Sequence, residues 1–392
     1  MNSEYLQYAM FSRGEMDRRY SKARRLMGDR ELDALFISGE ENFQYFAGTS
    51  ASLALHHSLT RPSIFILPLD GEPMAITQGI DNLSVSSYVT ETRGYSEILS
   101  FPHQTVLEAL NELGLNKGRV GVELGHEQRM GMPVGAYLTI VEALPRTQFV
   151  DASEILIELR MVKSEEELTF IRRAADITGR ARQRLFDLVR PDMTERDVVR
   201  LMRQLILEEG GDRTSFVILQ LDLPGAKNQF SLDRPLRNGD VLAVDAGACV
   251  GMYTVDYARM ATLGRATDLQ KRVHAAVLEV NGKMAEALRP GATCSDLHRI
   301  GARAMKDAGV EPDSPNRLKI GRMGHGQGIL ITEPPSIAPD DHTVLHPGMV
   351  ISTEPGVRSG PVQFLWEDVH VITEDGHEQL TLETDELREL PF

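Results

Sequence analysis

Short apolar blocks alternate with helical segments along the first part of the chain. Helical periodicity covers residues 15–28, and apolar runs follow at 34–37, at 64–67 and, as VGVEL, at 120–124. Short apolar runs separated by helical segments are typical of strands in an α/β arrangement. The pattern therefore predicts an α/β domain in this half of the chain.

The pattern changes near Arg160, where a long helical segment is predicted. Ser164 and Glu167 have the spacing of a capping box, in which each side chain satisfies a free backbone N–H group at a helix start. The apolar residues that follow at helical intervals are Leu168, Ile171 and Ala175. Because single cores rarely grow beyond ~250 residues, we predict two domains, residues 1–158 and residues 159–392.

The second domain combines predicted helices with strands that carry acidic residues. Helices are indicated after Thr194 and over residues 268–288 and 293–308, the last closed by Gly309. Two apolar runs after Gly-containing turns, VLAVDAG and MVISTEPG, are predicted strands that each deliver a carboxylate at the end. Antiparallel strands with helices on one side predict an α+β catalytic domain.

Composition and charge narrow the class of protein. The 392 residues are 42% hydrophobic and 25% charged, as in an ordinary folded globular protein. The formal net charge of −15 argues against a nucleic-acid partner, because phosphate binding needs an excess of Lys and Arg. Cys249 and Cys294 predict buried thiols in a reducing compartment. Without an apolar stretch of signal-peptide or membrane-span length, a cytoplasmic protein with no membrane partner is expected.

Five separate segments place carboxylates and one imidazole beside glycines or predicted strands: VDAG, TVDYARM, GHGQG, STEPG and LWEDVHV. Each acidic residue alone is more often a solvated or turn residue. Together, carboxylates with one imidazole form an oxygen-rich site that suits Mn, Fe, Co or Zn better than a thiolate site would. A pair of such ions ~3.5–4 Å apart can activate a shared hydroxide and polarise a carbonyl, which indicates hydrolysis.

The order and spacing of these segments resemble the pita-bread family, which includes methionine aminopeptidase, aminopeptidase P, prolidase and creatinase. In that family a second aspartate follows the first by eleven positions in a Tyr-x-x-Asp-x-x-Arg context, as Asp256 follows Asp245 here. The other matching segments are Arg160–Met161–Val162–Lys163, Gly324–His325–Gly326–Gln327–Gly328, Pro347–Gly348–Met349, Glu354–Pro355–Gly356 and Trp366–Glu367–Asp368. The resemblance implies an α+β pita-bread catalytic domain after a creatinase-type α/β N-terminal domain.

The resemblance also implies two divalent metal ions. Asp245 would bind one ion through two oxygens, and Asp256 and Glu367 would bridge the two ions. His325 and Glu354 would complete the other ion's ligands. Mn is the first choice for this donor set, and Fe, Co and Zn stay open.

Three positions depart from the peptidases of this family. Asn228 and Thr332 stand where two non-ligand histidines handle the substrate, and Leu365 stands where prolidases tend to place an arginine. Asn228 can donate to an oxyanion and Thr332 can orient water, but neither side chain titrates near neutral pH. The acid/base role then falls to Glu354, as the resemblance implies, or to Glu333, and the sequence leaves both open.

Three residues of the first domain are candidates for substrate contacts. In prolidase-like and creatinase-like relatives, the N-terminal domain of one subunit borders the active site of its dimer mate. The resemblance therefore predicts a homodimer and makes His56, His57 and Arg61 candidates for binding a small-molecule or dipeptide substrate. A histidine in such a segment is more often an ordinary surface or core residue, so both interpretations stay open.

Three functions fit these features. The first is a dinuclear metal-dependent hydrolase that cleaves an amide or related C–N bond of a small substrate and resembles Xaa-Pro dipeptidase. The second, indicated by Asn228, Thr332 and Leu365, is a non-peptidase similar to ectoine hydrolase or to dimethylsulfoniopropionate lyase. The third is a catalytically silent binding protein, against which the full ligand set argues.

Overall fold

The chain divides into two compact units, Met1–Arg160 and Met161–Phe392, each with its own apolar core. A computed structural model describes residues 6, 8–49, 59–78, 83–221, 233–312 and 321–392.

The first unit contains a mixed six-stranded sheet with helices between its strands. Its helices are α1 (Arg13–Asp29), α2 (Glu40–Ala47), α3 (Leu83–Ser86), α4 (His103–Glu112), α5 (Val134–Ala143) and α6 (Ser153–Met161). Its strands are β1 (Ala34–Ile37), β2 (Ile64–Pro68), β3 (Met74–Thr77), β4 (Glu91–Gly94), β5 (Gly118–Val122) and β6 (Thr147–Asp151). The strand order is β4-β3-β2-β1-β5-β6, which confirms the predicted α/β class.

The apolar run VGVEL forms a strand that is shifted from its predicted bounds. β5 ends at Val122 because the Glu123 carboxylate leaves the sheet to accept hydrogen bonds from the backbone N–H groups of Ser38 and Gly39, both at 2.8 Å. Leu124 is then 46% exposed. A buried carboxylate that satisfies free backbone N–H groups ended the strand, and an apolar pattern does not reveal this.

The second unit has four helices in the described ranges, and their starts agree with the predicted caps. They are α7 (Glu165–Leu188), α8 (Glu195–Glu208), α9 (Asp268–Ala285) and α10 (Cys294–Asp307). Ser164 and Glu167 form the predicted capping box at α7, and Thr194 caps α8 in the same way with Asp197. The predicted helices over 268–288 and 293–308 correspond to α9 and α10.

The strands of the second unit form three sheets. They are β7 (Arg213–Leu221), β8 (Val241–Val250), β9 (Tyr253–Thr254), β10 (Tyr257–Leu263), β11 (Glu311–Pro312), β12 (His325–Gly326), β13 (Glu333–Ser336), β14 (Val350–Thr353), β15 (Gly356–Ser359), β16 (Val362–Leu365), β17 (Asp368–Ile372), β18 (His377–Gln379) and β19 (Arg388–Leu390). The sheet orders are β19-β10-β8-β7 with β9 on β8, β11-β15-β16, and β13-β12-β14-β17-β18. The pairings are antiparallel apart from β10 with β19.

β8 is longer than its sequence pattern predicted. All ten of its residues are buried, so Asp245 lies in the middle of the strand and not at its end. Gly247 resembles a strand terminator in the sequence, but a Cβ at this position would lie 1.7 Å from the Val255 carbonyl oxygen. The glycine therefore permits a close backbone approach inside the sheet.

Both cysteines are free and buried. Burial raises the pKa of Cys249 to about 11 and that of Cys294 to about 12, so both remain thiols at neutral pH. Across the described ranges, no helix combines the length and apolarity that crossing a bilayer requires.

Candidate metal centre

Three of the four predicted carboxylate ligands lie around the imidazole of His325, the fifth predicted ligand. Its Nε2 atom lies 3.7 Å from Asp256 Oδ2, 3.7 Å from Glu367 Oε1 and 3.8 Å from Glu354 Oε2. Asp256, His325 and Glu367 offer ligand atoms that all lie within 4.8 Å of one another. Side chains from separate segments thus converge on a volume of the size of one metal coordination sphere.

The fourth predicted carboxylate ligand, Asp245, lies beside Asp256. Asp245 pairs with Ala258 of β10, and Asp256 lies two residues before Ala258, in the gap between β9 and β10. Both aspartates are buried. Burial, followed by the nearby negative charge of Asp245, raises the pKa of Asp256 well above its usual range. Two buried carboxylates therefore lie next to each other and repel unless a cation or a proton lies between them.

His325 is neutral and directs one nitrogen lone pair at the carboxylates. Burial, with help from the positive charge of Arg322, lowers the pKa of His325 to about 3. Its Nδ1 atom lies 2.9 Å from the Gly326 carbonyl oxygen, which can only accept, so Nδ1 carries the proton. Nε2 then has a free lone pair, as a metal-ligating imidazole requires.

The buried oxygens of the cluster fit a cation. Asp245 Oδ1, Asp256 Oδ1 and both carboxylate oxygens of Glu367 are buried without a hydrogen-bond partner among the described residues. Burial, then the charges of Asp256, Glu354 and Asp245, raises the pKa of Glu367 well above its usual range. Since buried polar groups normally have partners, these four oxygens fit divalent cations as the missing partners, and two of the three carboxylates, Asp256 and Glu367, also have an oxygen close to the neutral imidazole.

Polar contacts support the backbone of Glu367 and the residue after it. The Arg259 guanidinium donates to the Glu367 carbonyl oxygen at 2.6 Å and to Asp368 Oδ1 at 2.6 Å. Asp368 also accepts hydrogen bonds from Asn281 Nδ2 at 2.6 Å and from the Trp366 indole N–H at 3.0 Å. Arg259 and Asp368 thus support the segment of Glu367, and Arg259 lies on β10, three residues after Asp256.

The structure places the predicted acid/base candidates differently. Glu354, directly after β14, has a side chain that is 25% exposed, in contrast to His325 and Glu367 at 1%. Glu333 is buried, its Oε2 atom lies 3.4 Å from Lys163 Nζ, and its Oε1 atom accepts a hydrogen bond from the Leu330 N–H at 3.0 Å. Glu354 is therefore the carboxylate that opens to solvent, and Glu333 is engaged in a buried ion pair.

The structure describes three of the other residues that the sequence singled out for substrate handling. Thr332 is half-buried in the turn before β13, and Leu365 is half-buried at the end of β16. Arg61 is half-buried in the first unit, three residues before β2. Asn228, His56 and His57 lie outside the described residues. Their roles stay predictions.

Three residues that the sequence did not single out as functional contact the cluster or its supports. Arg322 Nη2 lies 4.0 Å from Glu354 Oε2, Lys163 pairs with Glu333, and the Gln327 side chain bonds to the backbone of Asp256. Gln327 is the variable position of the Gly-His-Gly-x-Gly stretch. A polar residue between two glycines was the feature of the sequence that could have pointed to Gln327.

Known proteins are similar to this chain over nearly its full length. The chain is 26% identical to the Xaa-Pro dipeptidase of Pyrococcus furiosus, over 93% of this chain and 98% of that protein. It is 27% identical to the Xaa-Pro dipeptidase of Lactobacillus delbrueckii subsp. lactis, over 92% and 95%. A solved dipeptidase structure from Pyrococcus horikoshii OT3 is 26% identical, covers 95% of this chain and 100% of its own, and superimposes with a TM-score of 0.82.

Family matches extend over both units. Residues 19–162 match the creatinase/prolidase N-terminal domain, and residues 169–374 match metallopeptidase family M24. The prolidase structure from Thermococcus sibiricus, at 23% identity and a TM-score of 0.82, shares the fold over 96% of this chain and 99% of its own. The predicted creatinase-type domain followed by a pita-bread domain is confirmed. The chain therefore belongs to metallopeptidase family M24 and is a metal-dependent hydrolase.

Proposed function

We propose that this chain is a two-metal dipeptidase that cleaves Xaa-Pro dipeptides. The observation that carries the proposal is the set of four buried carboxylate oxygens of Asp245, Asp256 and Glu367 without hydrogen-bond partners in the described ranges, in a cluster where Asp256 and Glu367 also approach the free lone pair of His325. The Xaa-Pro dipeptidases of P. furiosus and L. delbrueckii, which match nearly the full chain, support the choice of substrate.

Asp245, Asp256, His325, Glu354 and Glu367 would hold the ions. Asp256 and Glu367 each have an oxygen 3.7 Å from His325 Nε2, so these two carboxylates could bind the same ion as the histidine, and the family resemblance gives them the bridging roles. Asp245 lies next to Asp256 and would bind the other ion. When bound, two divalent ions lower the pKa of a shared water and polarise the scissile carbonyl. Mn is the first choice for these hard oxygen ligands.

Glu354 is the proposed proton acceptor. Its carboxylate is the most exposed of the four acidic ligand candidates, so an attacking water can reach Oε2 from solvent. Glu354 Oε2 would take the proton from this water and pass it to the leaving amine nitrogen. Thr332 and Asn228 would orient water or donate to the developing oxyanion, where relatives of this family use histidines.

A second candidate is a non-peptidase that cleaves a C–N bond of another small substrate. The observation that favours it is Leu365, half-buried at the end of β16, with its backbone N–H against the sulfur of Met260 at 3.1 Å. The leucine side chain has neither a charge nor a hydrogen-bond donor with which to bind a dipeptide carboxylate. Measuring metal content together with cleavage of Xaa-Pro dipeptides separates the two candidates.

The first test pairs elemental analysis of the purified chain with product release from Gly-Pro and Ala-Pro, with and without added Mn²⁺. The proposal expects two ions per chain and cleavage that a chelator abolishes. Two ions without dipeptide cleavage would favour the non-peptidase candidate, and a screen of small cyclic amides and betaines would follow. If the chain binds no divalent ion after Mn²⁺ loading, both candidate functions are wrong.

Variants of the ligand candidates sharpen this test. Asp256→Asn and Glu367→Gln each replace a charged oxygen in the proposed bridge, so we expect loss of at least one ion and at least a ~10³-fold fall in kcat/KM. Asp307→Asn is the control, because Asp307 is 56% exposed and pairs only loosely with Arg303 at 3.8 Å. Full metal content and activity in either ligand variant would exclude that residue as a ligand.

The homodimer and the substrate contacts of His56, His57 and Arg61 are part of the proposal. They rest on the resemblance described above, in which the N-terminal domain of one subunit borders the active site of the other.

A further inference from the structure

The side chain of Gln327 is fully buried between two ligand-bearing segments. Its Oε1 atom accepts a hydrogen bond from the Asp256 backbone N–H at 2.9 Å, and its Nε2 atom donates to the Asp256 backbone carbonyl oxygen at 2.7 Å. The amide orientation is fixed by these partners, because the reversed amide would set oxygen against oxygen and nitrogen against nitrogen. One side chain therefore satisfies both backbone groups of a predicted metal ligand.

Asp256 needs such a partner because it lies in a gap between two strands. β9 ends at Thr254, which pairs with Cys249, and β10 begins at Tyr257, which pairs with Ala246. Asp256 belongs to neither register. A buried backbone N–H or carbonyl without a partner costs about as much as a lost hydrogen bond, and Gln327 supplies the two bonds that a neighbouring strand would make.

The same segment connects Asp256 to the histidine ligand. Gln327 follows His325 by two residues, and its backbone N–H donates to the Val350 carbonyl of the neighbouring strand at 3.2 Å. The next carbonyl, that of Gly328, accepts hydrogen bonds from the backbone N–H and the hydroxyl of Thr254, at 2.8 and 3.0 Å. The segment of His325 and the loop of Asp256 are thereby joined through the Gln327 side chain and through the Gly328 carbonyl.

This connection places the Asp256 carboxylate within reach of the histidine. Asp256 Oδ2 lies 3.7 Å from His325 Nε2, and the backbone of Asp256 is outside the registers of both neighbouring strands. The two hydrogen bonds from Gln327 therefore fix the backbone from which this carboxylate extends toward His325.

We propose that Gln327 is a positioning residue that holds Asp256 ready for metal, so that its side-chain amide sets the affinity of the centre. This inference rests on the proposed metal centre and extends it to a residue that touches neither metal nor substrate. Outer partners of metal ligands typically change metal affinity ~10- to 100-fold when removed.

The test uses Gln327→Met, which keeps the length and volume of the side chain but removes both hydrogen bonds. Trp366 is the sole tryptophan, is buried and stands next to Glu367, so its fluorescence reports metal binding. Titration of the metal-free full chain with Mn²⁺ should give a dissociation constant ~10- to 100-fold higher for Gln327→Met than for the wild type. The visible spectrum of the Co²⁺-loaded variant should also differ, because the geometry around Asp256 has changed.

Gln270→Met is the matched control. Gln270 is also buried, accepts from the backbone N–H of Thr267 at 2.8 Å and donates to the Gly239 carbonyl at 3.3 Å, so its loss removes the same two kinds of bond. These bonds hold the start of α9 and not the backbone of a ligand, so Mn²⁺ affinity should stay within about twofold of wild type. The asparagine side chain is too short to make both bonds at once, so Gln327→Asn should bind Mn²⁺ with an affinity between those of wild type and Gln327→Met. The same variant replaces Gln327→Met in the titration if the methionine variant does not fold.

Equal Mn²⁺ affinity in wild type and both Gln327 variants would overturn the inference and leave the proposed function intact. A wild-type chain without Mn²⁺ binding would instead remove the proposed centre itself. At saturating Mn²⁺, kcat of the Gln327 variants should return to within about threefold of wild type. A lasting loss of kcat with unchanged affinity would show that Gln327 acts on the reaction in another way and would also overturn the inference.

Discussion

Lys163 and Glu333 form an ion pair in which both side chains are buried, at 1% and 4% exposure. A Cβ at Gly328 would lie 2.7 Å from Glu333 Oε2 and 3.0 Å from Lys163 Cε, so the glycine makes room for the pair. Glu333 also accepts the Leu330 N–H and thereby closes the turn that carries Thr332. These contacts favour a structural role for Glu333 over the acid/base role that the sequence left open.

Substitutions of this pair separate the two roles. We expect Lys163→Met to lower the free energy of unfolding by about 3 kcal/mol, because it leaves a buried carboxylate without its ammonium partner. Glu333→Gln should also destabilise the chain while kcat for Gly-Pro stays within about fivefold. Urea unfolding and steady-state kinetics check both values. A loss of more than ~10²-fold in kcat at unchanged stability would assign Glu333 to proton transfer.

For single residues, the sequence indicated which acidic and imidazole side chains converge better than it indicated the residues that support them. Asp256 and His325 stand in recognisable spacings, and the structure brings them together. Gln327 and Lys163 act through contacts with residues 71 and 170 positions away in the chain, and such contacts leave no local pattern. The burial that gives His325 a pKa of about 3 likewise depends on segments distant in sequence.

Among the elements, the N-terminal end of α7 connects a helix cap to the strand before Asp256. Glu167 Oε2 accepts the Ser164 backbone N–H at 2.8 Å, and Glu167 Oε1 accepts the Tyr253 hydroxyl at 2.7 Å. Asp197 at α8 caps Thr194 in the same way, at 2.9 Å, but is half-buried. Asp197 also accepts the Thr194 hydroxyl at 2.7 Å, a bond within its own box, whereas the Tyr253 bond of Glu167 joins the box to another element and is buried.

We expect Glu167→Ala to cost about 2–3 kcal/mol of unfolding free energy and Asp197→Ala about 1 kcal/mol, because a cap is worth ~1 kcal/mol and a buried bond to a charged group adds more. In a Tyr253→Phe background, where the buried bond is already absent, Glu167→Ala should lower the free energy of unfolding only by the value of the cap, about 1 kcal/mol. Chemical denaturation of these variants checks this. Equal costs for the two caps in the wild-type background would contradict the coupling between α7 and β9.

Element boundaries were predictable where their cause is local. Ser164 and Thr194 mark helix starts by side-chain bonds within three residues, and both helices begin there. β8 was predicted too short because Gly247 allows a close approach of Val255, a partner that only the folded sheet supplies. Parallel pairing of β10 with β19, as at Ala261 and Arg388, joins segments more than 100 residues apart and has no signature in either strand.

For the whole molecule, the alternation of apolar blocks predicted two different architectures in one chain, and the two units have them. The acidic composition predicted a chain without a nucleic-acid partner but said nothing of where titratable groups are buried. His274 is such a group. It is buried in the core of the second unit, its ring lies 5.4 Å from Trp366 and 5.7 Å from Phe364, and its Nε2 atom has no hydrogen-bond partner among the described residues.

Burial lowers the pKa of His274 to about 4, from an ordinary value of ~6.5. Below pH 6.5 the unfolded chain therefore binds a proton that the folded chain does not bind, and stability falls as the pH drops toward 4. Above pH 7.5 the histidine is neutral in both states and contributes no pH dependence.

Replacing His274 with Leu should remove this acid sensitivity. Between pH 7.5 and pH 4, the free energy of unfolding of the wild type should fall by about 2–3 kcal/mol relative to His274→Leu, because a tenfold weaker affinity for the proton corresponds to ~1.4 kcal/mol. Carboxylates that titrate in the same range cancel in this difference. Val277→Ala, one turn along α9 in the same core, should destabilise the chain equally at every pH. Urea unfolding of the metal-free proteins across this range gives the comparison, and parallel curves for wild type and His274→Leu would mean that the folded chain accommodates a protonated His274.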